Sequence, residues 1–321
     1  MTTDAVLINE VGPRDGLQNQ KVPVSTKDKL ALIQALVAAG LRAIEVTSFV
    51  SPKAVPQMAD ADALFPRLPD RDRVAYSALV PNRRGLDRAL AAGVPEIAVV
   101  LSATETMNLR NINLTLAQTE AVCVETVQAA VAAGVRAKAY VAVAFTCPFE
   151  GAVDPAVVRR LALLMREAGA EEIVIADTIG AAHPREVGAL MGALAGDVGA
   201  ERLAAHFHDT RGFALANIWA CVEAGVRRFD SSLGGLGGCP FAPGAAGNVA
   251  TEDVVLMLEQ CGLRTGIDIP ALRRAITLAE RLVGHPLGGR TARWLQSEDL
   301  RAEQREAARA EAAVAVPVVG A

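Results

Sequence analysis

The chain reads as a parallel (β/α)8 barrel, the TIM-barrel architecture, followed by extra C-terminal helices. Three observations predict it. Short β-rich apolar runs alternate with Ala/Leu-rich helical stretches from end to end, and eight such runs fall between Val6 and Leu233. Five helical stretches end almost identically, at Ala38-Ala39-Gly40-Leu41, Ala91-Ala92-Gly93-Val94, Ala132-Ala133-Gly134-Val135, Glu167-Ala168-Gly169-Ala170 and Glu223-Ala224-Gly225-Val226. Each ending places glycine at a helix stop and leads into a strand. The alternative is a doubly wound open sheet, which often carries GxGxxG after its first strand. That turn here reads Gly12-Pro13-Arg14-Asp15-Gly16.

The predicted strands are Val6–Val11, Ala43–Phe49, Val74–Val80, Glu96–Ser102, Arg136–Phe145, Glu171–Ile179, Arg202–Asp209 and Arg227–Leu233. Amphipathic helices are expected between them at Thr26–Ala39, Leu116–Ala132, Pro155–Ala168, Pro184–Ala195 and Ala214–Ala224. A Gly-rich loop over 234–248 follows, then a helix at Thr251–Gln260 and further helices from Pro270 to about Glu311. We therefore expect a barrel domain over 1–287 and a helical extension over 288–321 whose small-residue tail is frayed.

Composition narrows the functional classes. Apolar residues make up 51% of 321, enough for a large core, and the net charge is −4. No Lys/Arg run is interleaved with aromatics, which argues against a nucleic-acid partner. No stretch approaches about 18 uncharged apolar residues, so no membrane span is expected. Met1–Glu10 lacks the pattern of a secretory signal. The five cysteines are scattered without a CxxC pair, which fits a reduced cytoplasm.

The most chemically loaded stretch is His206-Phe207-His208-Asp209 at the end of the seventh predicted strand. Side chains at i and i+2 of a strand share a face, so the two imidazoles emerge together and could grip a divalent metal. One buried structural histidine with a solvated neighbour is the bland alternative. Barrel chemistry gathers at the C-terminal ends of strands, and other capable residues fall there: Arg14 and Asp15 after strand one, Glu45 and Ser48 in strand two, Asp177 ending strand six, and Asn248 after strand eight. Asp15, His206, His208 and Asn248 would give a carboxylate, two imidazoles and an amide oxygen. That N2O2 set suits Mg²⁺, Mn²⁺ or Zn²⁺ with positions open for substrate. Arg14 would offer a fixed positive charge for a developing enolate, or else form a solvated turn or ion pair. Glu45 lies in the apolar run Ala43–Val46, where an unpartnered carboxylate is costly. The glycines of 234–248 suggest a mobile lid, with Cys239 upon it as a proton donor or an inert thiol.

Four segments then carry a resemblance: Val11–Asn19, Glu45–Lys53, His206–Thr210 and Gly235–Pro240. Together they resemble 3-hydroxy-3-methylglutaryl-CoA lyase, a family of metal-dependent lyase and Claisen-condensing barrels, over about Ile8 to Leu287. The resemblance implies Mg²⁺ or Mn²⁺ (with Zn²⁺ or Co²⁺ as further options) on Asp15, His206, His208 and Asn248. It also implies retro-Claisen cleavage of a 3-hydroxyacyl-CoA to acetyl-CoA and a keto acid, acetoacetate for the parent substrate. The hydroxyl proton would go to His206, or to Asp15; Arg14 would neutralise the enolate oxygen, Cys239 would protonate its carbon, and Glu45 would order the metal surroundings. Gln18, Lys21, Ser48 and Asp177 would be substrate or supporting groups beside Arg14.

Departures from the family pattern occur at Thr210-Arg211-Gly212, Thr106–Arg110 and Lys138, and they leave the acyl group open. A homo-oligomer, a dimer in the first instance, is the expected assembly. Two other activities stay in play: a condensing acyltransferase of the same superfamily, and a non-catalytic acyl-CoA-binding barrel.

Overall fold

Eight parallel strands close into a ring in which each strand neighbours the next in sequence and the last returns to the first. They are β1 (Leu7–Glu10), β2 (Ala43–Ser48), β3 (Ala75–Leu79), β4 (Glu96–Ser102), β5 (Arg136–Ala142), β6 (Glu172–Asp177), β7 (Leu203–Phe207) and β8 (Arg228–Ser231). The seam between β1 and β8 pairs Leu7 with Arg228 through Glu10 with Ser231. This is the (β/α)8 barrel the alternation predicts. The computed structural model describes residues 4–238 and 247–314. The tail expected to be frayed lies outside the described residues from 315 onward, as does Cys239.

The helices outside the ring form where their ends are capped. Ser25 accepts from the Asp28 N–H at the start of Thr26–Ala38, and Thr115 forms a capping box with Gln118 before Leu116–Ala132. Asp154 caps Pro155–Ala168, and His183 with Glu186 caps Pro184–Val198. At the other ends, all five repeated glycines take positive φ, Gly40 at 102° and Gly169 at 108° among them. A side chain there would be strained, which is why the motif recurs. Leu32, Ile33, Leu36, Leu161, Met165, Leu190 and Leu194 are buried between these helices and the ring.

One departure from the predicted strands and one short crossover have clear causes. Strand five stops at Ala142, because Val143 takes a left-handed φ of 49° and its N–H leaves the ladder for Thr178 Oγ1 at 2.8 Å. Between β2 and β3 the crossover helix shrinks to one turn, Ala61–Leu64, flanked by 3₁₀ pieces at Pro56–Met58 and Phe65–Arg67, where prolines interrupt the N–H ladder.

After β8 come Thr251–Gln260, Ile269–Val283 and Ala292–Val314. The segment leading to the last helix is tied back to the rim. Asp253 accepts the Arg290 and Thr291 N–H groups at 2.7 and 2.9 Å, and Arg290 Nε reaches Asp209 Oδ2 at 2.5 Å. The N-terminal end of the barrel is plugged by charges. Buried Lys138 reaches Glu96 at 2.8 Å and Glu172 at 3.7 Å, and Arg228 reaches Glu172 at 2.8 Å. Among the described residues no helix is long and apolar enough to cross a membrane.

Candidate active site

The opposite, C-terminal mouth holds the chemistry. Leaving β1, the chain makes one π-helical turn, Gly12–Gly16, in which the Val11 carbonyl accepts N–H groups from Arg14 (3.1 Å), Asp15 (2.7 Å) and Gly16 (3.4 Å). The turn is tight because Gly12 has no side chain. A Cβ there would lie 2.4 Å from a Leu233 methyl and 2.6 Å from Glu10 Oε1. It aims Arg14 inward, where Nε and Nη2 both reach Glu45 Oε2 (2.7 and 2.6 Å) and Nη1 reaches Asp15 Oδ1 (2.7 Å). Glu45, fully buried in β2, therefore has the partner its burial demands.

His206 and His208 leave β7 with ring centroids 5.3 Å apart. Asn248 reaches them through an antiparallel bridge: the Val249 N–H donates to Phe207 O (3.1 Å) and the Asp209 N–H to Gly247 O (3.0 Å). The Asn248 amide then donates to Asp15 Oδ2 at 2.8 Å. Ligand atoms of Asp15, His206 and His208 lie within 4.8 Å of one another, a group able to hold a metal ion. His208 Nδ1 and Asn248 Oδ1 are buried with no hydrogen-bond partner. Two unsatisfied lone-pair donors beside an ionised carboxylate are what a cation would use, so the residues fit the group the sequence implies.

The electrostatics agree. Burial opposes ionisation of Asp15, but the Arg14 guanidinium, followed by both imidazoles, holds its pKa down at about 2. Burial, reinforced by His206, pushes His208 down to about 4, which keeps a lone pair available. Burial alone would lower His206 too, but the carboxylate of Asp230 outweighs it and raises the pKa. Glu45 is raised by burial despite Arg14.

Asp230 is the chief residue that sequence reasoning missed. Its Oδ2 takes His206 Nδ1 at 3.0 Å and the Tyr140 hydroxyl at 2.8 Å, while Oδ1 accepts from Asn9 Nδ2 at 2.8 Å. With Nδ1 committed to Asp230, His206 turns only Nε2 toward the mouth. The signal was available: Phe229-Asp230-Ser231 is a carboxylate within a strand, the pattern that singled out Glu45. Glu10 was missed as well. Fully buried, it accepts from the Gly12 and Leu233 N–H groups (2.8 and 2.9 Å) and from Thr251 Oγ1 (2.7 Å), and so ties the turn carrying Arg14 to the start of the Gly-rich loop. Burial raises its pKa to about 7.

The supporting residues divide. Gln18 Nε2 lies 3.4 Å from Asp15 Oδ1, and buried Ser48 has an unpartnered hydroxyl. Asp177 is not part of the cluster; its two oxygens accept the Ala181 and Ala182 N–H groups, each at 2.9 Å, and close the turn after β6. Lys21 is exposed. Gly238, the last described residue before Cys239, accepts from Asn19 Nδ2 at 3.3 Å, and the same amide donates to Asp15 O at 3.1 Å.

A family profile described as HMGL-like matches residues 5–278. The chain belongs to that family. A hydroxymethylglutaryl-CoA lyase of Pseudomonas mevalonii is 46% identical over 268 residues, which is 84% of this chain and 89% of the relative. A 3-hydroxy-3-isohexenylglutaryl-CoA/hydroxymethylglutaryl-CoA lyase of Pseudomonas aeruginosa is 45% identical, covering 90% of this chain and 97% of its own. Among solved structures, an HMG-CoA lyase from Acinetobacter baumannii in complex with coenzyme A and 3-methylmalate superposes with a TM-score of 0.87 at 40% identity, over 91% of this chain and 96% of that one. The resemblance carried by the four sequence segments is thus borne out at the level of the family.

Proposed function

We propose that this chain cleaves 3-hydroxy-3-methylglutaryl-CoA, or a close homologue, to acetyl-CoA and acetoacetate or the corresponding keto acid. One observation carries the reading: Asp15, His206 and His208 converge within 4.8 Å at the catalytic mouth, beside a guanidinium fixed by a buried carboxylate. The lyase relatives, and the coenzyme A held by the Acinetobacter structure, support an acyl-CoA substrate.

Asp15, His206, His208 and Asn248 would hold a divalent cation, Mg²⁺ or Mn²⁺ by their hard and borderline donors. When bound, such an ion supplies Lewis acidity toward a hydroxyl oxygen. Cleavage of C2–C3 needs the C3 hydroxyl proton removed as C3–O becomes a carbonyl, with the C2–C3 electron pair leaving as a thioester enolate. His206 Nε2 takes that proton, because Asp230 stabilises the resulting imidazolium through Nδ1. That nitrogen cannot ligate and accept a proton at once, so Asp15, His208 and Asn248 would hold the ion while His206 serves as the base. Arg14, held by Glu45 and Asp15, neutralises the enolate oxygen. Cys239, one residue beyond Gly238 in sequence, would protonate the enolate carbon. Gln18 and Ser48 meet the acyl group. The scattered cysteines favour a reducing cytoplasm as the site of action.

The test is incubation of purified protein with Mn²⁺ and 3-hydroxy-3-methylglutaryl-CoA. Acetoacetate and acetyl-CoA in equal amounts support the reading. No cleavage, with free thiol released from acetyl-CoA and a keto acid, would replace it with a condensing reaction. Cys239→Ser should lower turnover strongly; an unchanged rate removes that residue from the mechanism.

A further inference from the structure

Inside the barrel, a small apolar cluster stands apart from the large core under the helices. Ala98, Tyr140, Val174 and Ala204 form it, with Leu79 and Val100 packed against them. The four are buried, whereas Leu79 and Val100 are half-exposed. The open side of that interior is the C-terminal mouth, since the other end is plugged by Lys138, Glu96, Glu172 and Arg228. In the closed order β1 to β8, strands β3 and β4 sit four places from β7 and β8, across the ring from the imidazoles and Asp230. Leu79 ends β3 and Val100 lies in β4. Leu79 also pairs in register with Ser48 of β2, so an unpartnered hydroxyl stands next to the apolar wall. The mouth therefore has a charged side that suits oxygen atoms and, across from it at Leu79 and Val100, an apolar patch beside the Ser48 hydroxyl.

A 3-hydroxy-3-alkylglutaryl thioester divides in the same way, because its hydroxyl-bearing carbon carries polar arms and one alkyl group. We propose that Leu79 and Val100 form the subsite for that alkyl group and limit its length. This rests on the cleavage reaction proposed above. With the hydroxyl toward the imidazoles, the alkyl substituent points across the ring to β3 and β4, where each methylene it adds must fit against two branched side chains.

The experiment compares kcat/KM for 3-hydroxy-3-methylglutaryl-CoA with that for a homologue bearing a longer branched alkenyl chain at the same carbon. Wild type, Leu79→Ala, Val100→Ala and Leu79→Phe are measured, each with its melting temperature. Either alanine variant should raise the long-to-methyl ratio about tenfold or more, as expected when a pocket gains room for one or two carbons. Leu79→Phe should lower it. A ratio within about twofold of wild type in every folded variant overturns the subsite. If an alanine variant does not fold, the narrowing variant decides alone: Leu79→Phe with an unchanged ratio also overturns it. If wild type cleaves neither thioester, the reaction reading fails. The subsite is then decided by calorimetric affinities for the same two thioesters, which overturn it if their ratio is the same in wild type and variants.

Discussion

Replacing Asp230 by asparagine changes no volume but removes the charge and one acceptor from a site that serves three donors. His206 Nδ1, Tyr140 OH and Asn9 Nδ2 all converge on its carboxylate within 3.0 Å. If the amide oxygen replaces Oδ2, the NH2 faces the Asn9 NH2 and leaves a buried donor unmatched. If the amide is flipped, the NH2 faces His206 and drives its proton onto Nε2, which removes the lone pair from the mouth. An unmatched buried donor costs about 1–3 kcal/mol. Loss of the group orienting a metal-ligating histidine costs about 10- to 100-fold in affinity or activity, or about 1.4–2.7 kcal/mol. We expect Asp230→Asn to weaken Mn²⁺ binding and kcat/KM by that factor while the barrel still folds. Titration of Mn²⁺ by electron paramagnetic resonance gives the affinity, and urea unfolding of the metal-free protein gives the stability.

A second readout separates orientation from bulk stability. His206 has a raised pKa, so its interaction with Asp230 stabilises the fold fully below about pH 6.5, the usual imidazole value, and that stability fades as pH rises through the raised value. Asp230 has a lowered pKa, so its contribution persists until pH falls below the usual carboxylate range. The stability gap between wild type and Asp230→Asn should thus be wider at pH 6 than at pH 9. Wild-type Mn²⁺ affinity, turnover and pH response in the variant would refute the role given to Asp230.

Other outcomes follow from the same geometry. Arg14→Ala leaves Glu45 buried without its cation, which should cost about 3–5 kcal/mol in urea unfolding and remove at least about 10²-fold in kcat; the double variant with Glu45→Ala should recover part of the stability but none of the activity. Cation affinity should rise with pH through the raised His206 pKa and show no further step near pH 4 that affects binding at neutral pH, because His208 is already neutral there; proton release measured by calorimetry in two buffers checks this. Glu10, raised from 4.5 to about 7, gives a stability contribution that is present below pH 4.5 and lost as pH rises through about 7. Glu10→Gln should flatten that decline relative to wild type in melts from pH 4.5 to 8. His208→Ala should abolish Mn²⁺ binding and cleavage together, and retained cleavage would dissociate the cation from the reaction.

The barrel was legible because its strands are continuous apolar runs punctuated by glycine, a pattern set by burial on both faces. What escaped were places where a single residue redirects the chain. Val143 lies in the apolar run Val141–Phe145, and nothing local shows that its N–H serves Thr178. The π-helical turn at Gly12–Gly16 is likewise invisible, since it depends on Leu233 and Glu10 closing over Gly12. At the site, Asp15, His206, His208 and Glu45 were readable from residue type and strand position. Asp177 meets the same criteria, and each of its oxygens accepts one local backbone N–H. Asp230 shows the converse: the partners that give it meaning come from β1, β5 and β7, and one of them, Asn9, is 221 residues away.

The β1–β8 seam carries a consequence for how the protein is made. Asn9 and Asp230 meet across that seam, and Asp15 meets Asn248 just above it, so both pairs span nearly the whole barrel sequence. Neither can form on a nascent chain until the eighth unit has emerged and the ring has closed, the slow, long-range step of such a topology. A divalent ion offered during refolding would therefore find its complete site only in closed molecules. The share of its binding free energy that Asn248 supplies belongs to the seam and is absent from a barrel still missing its eighth unit.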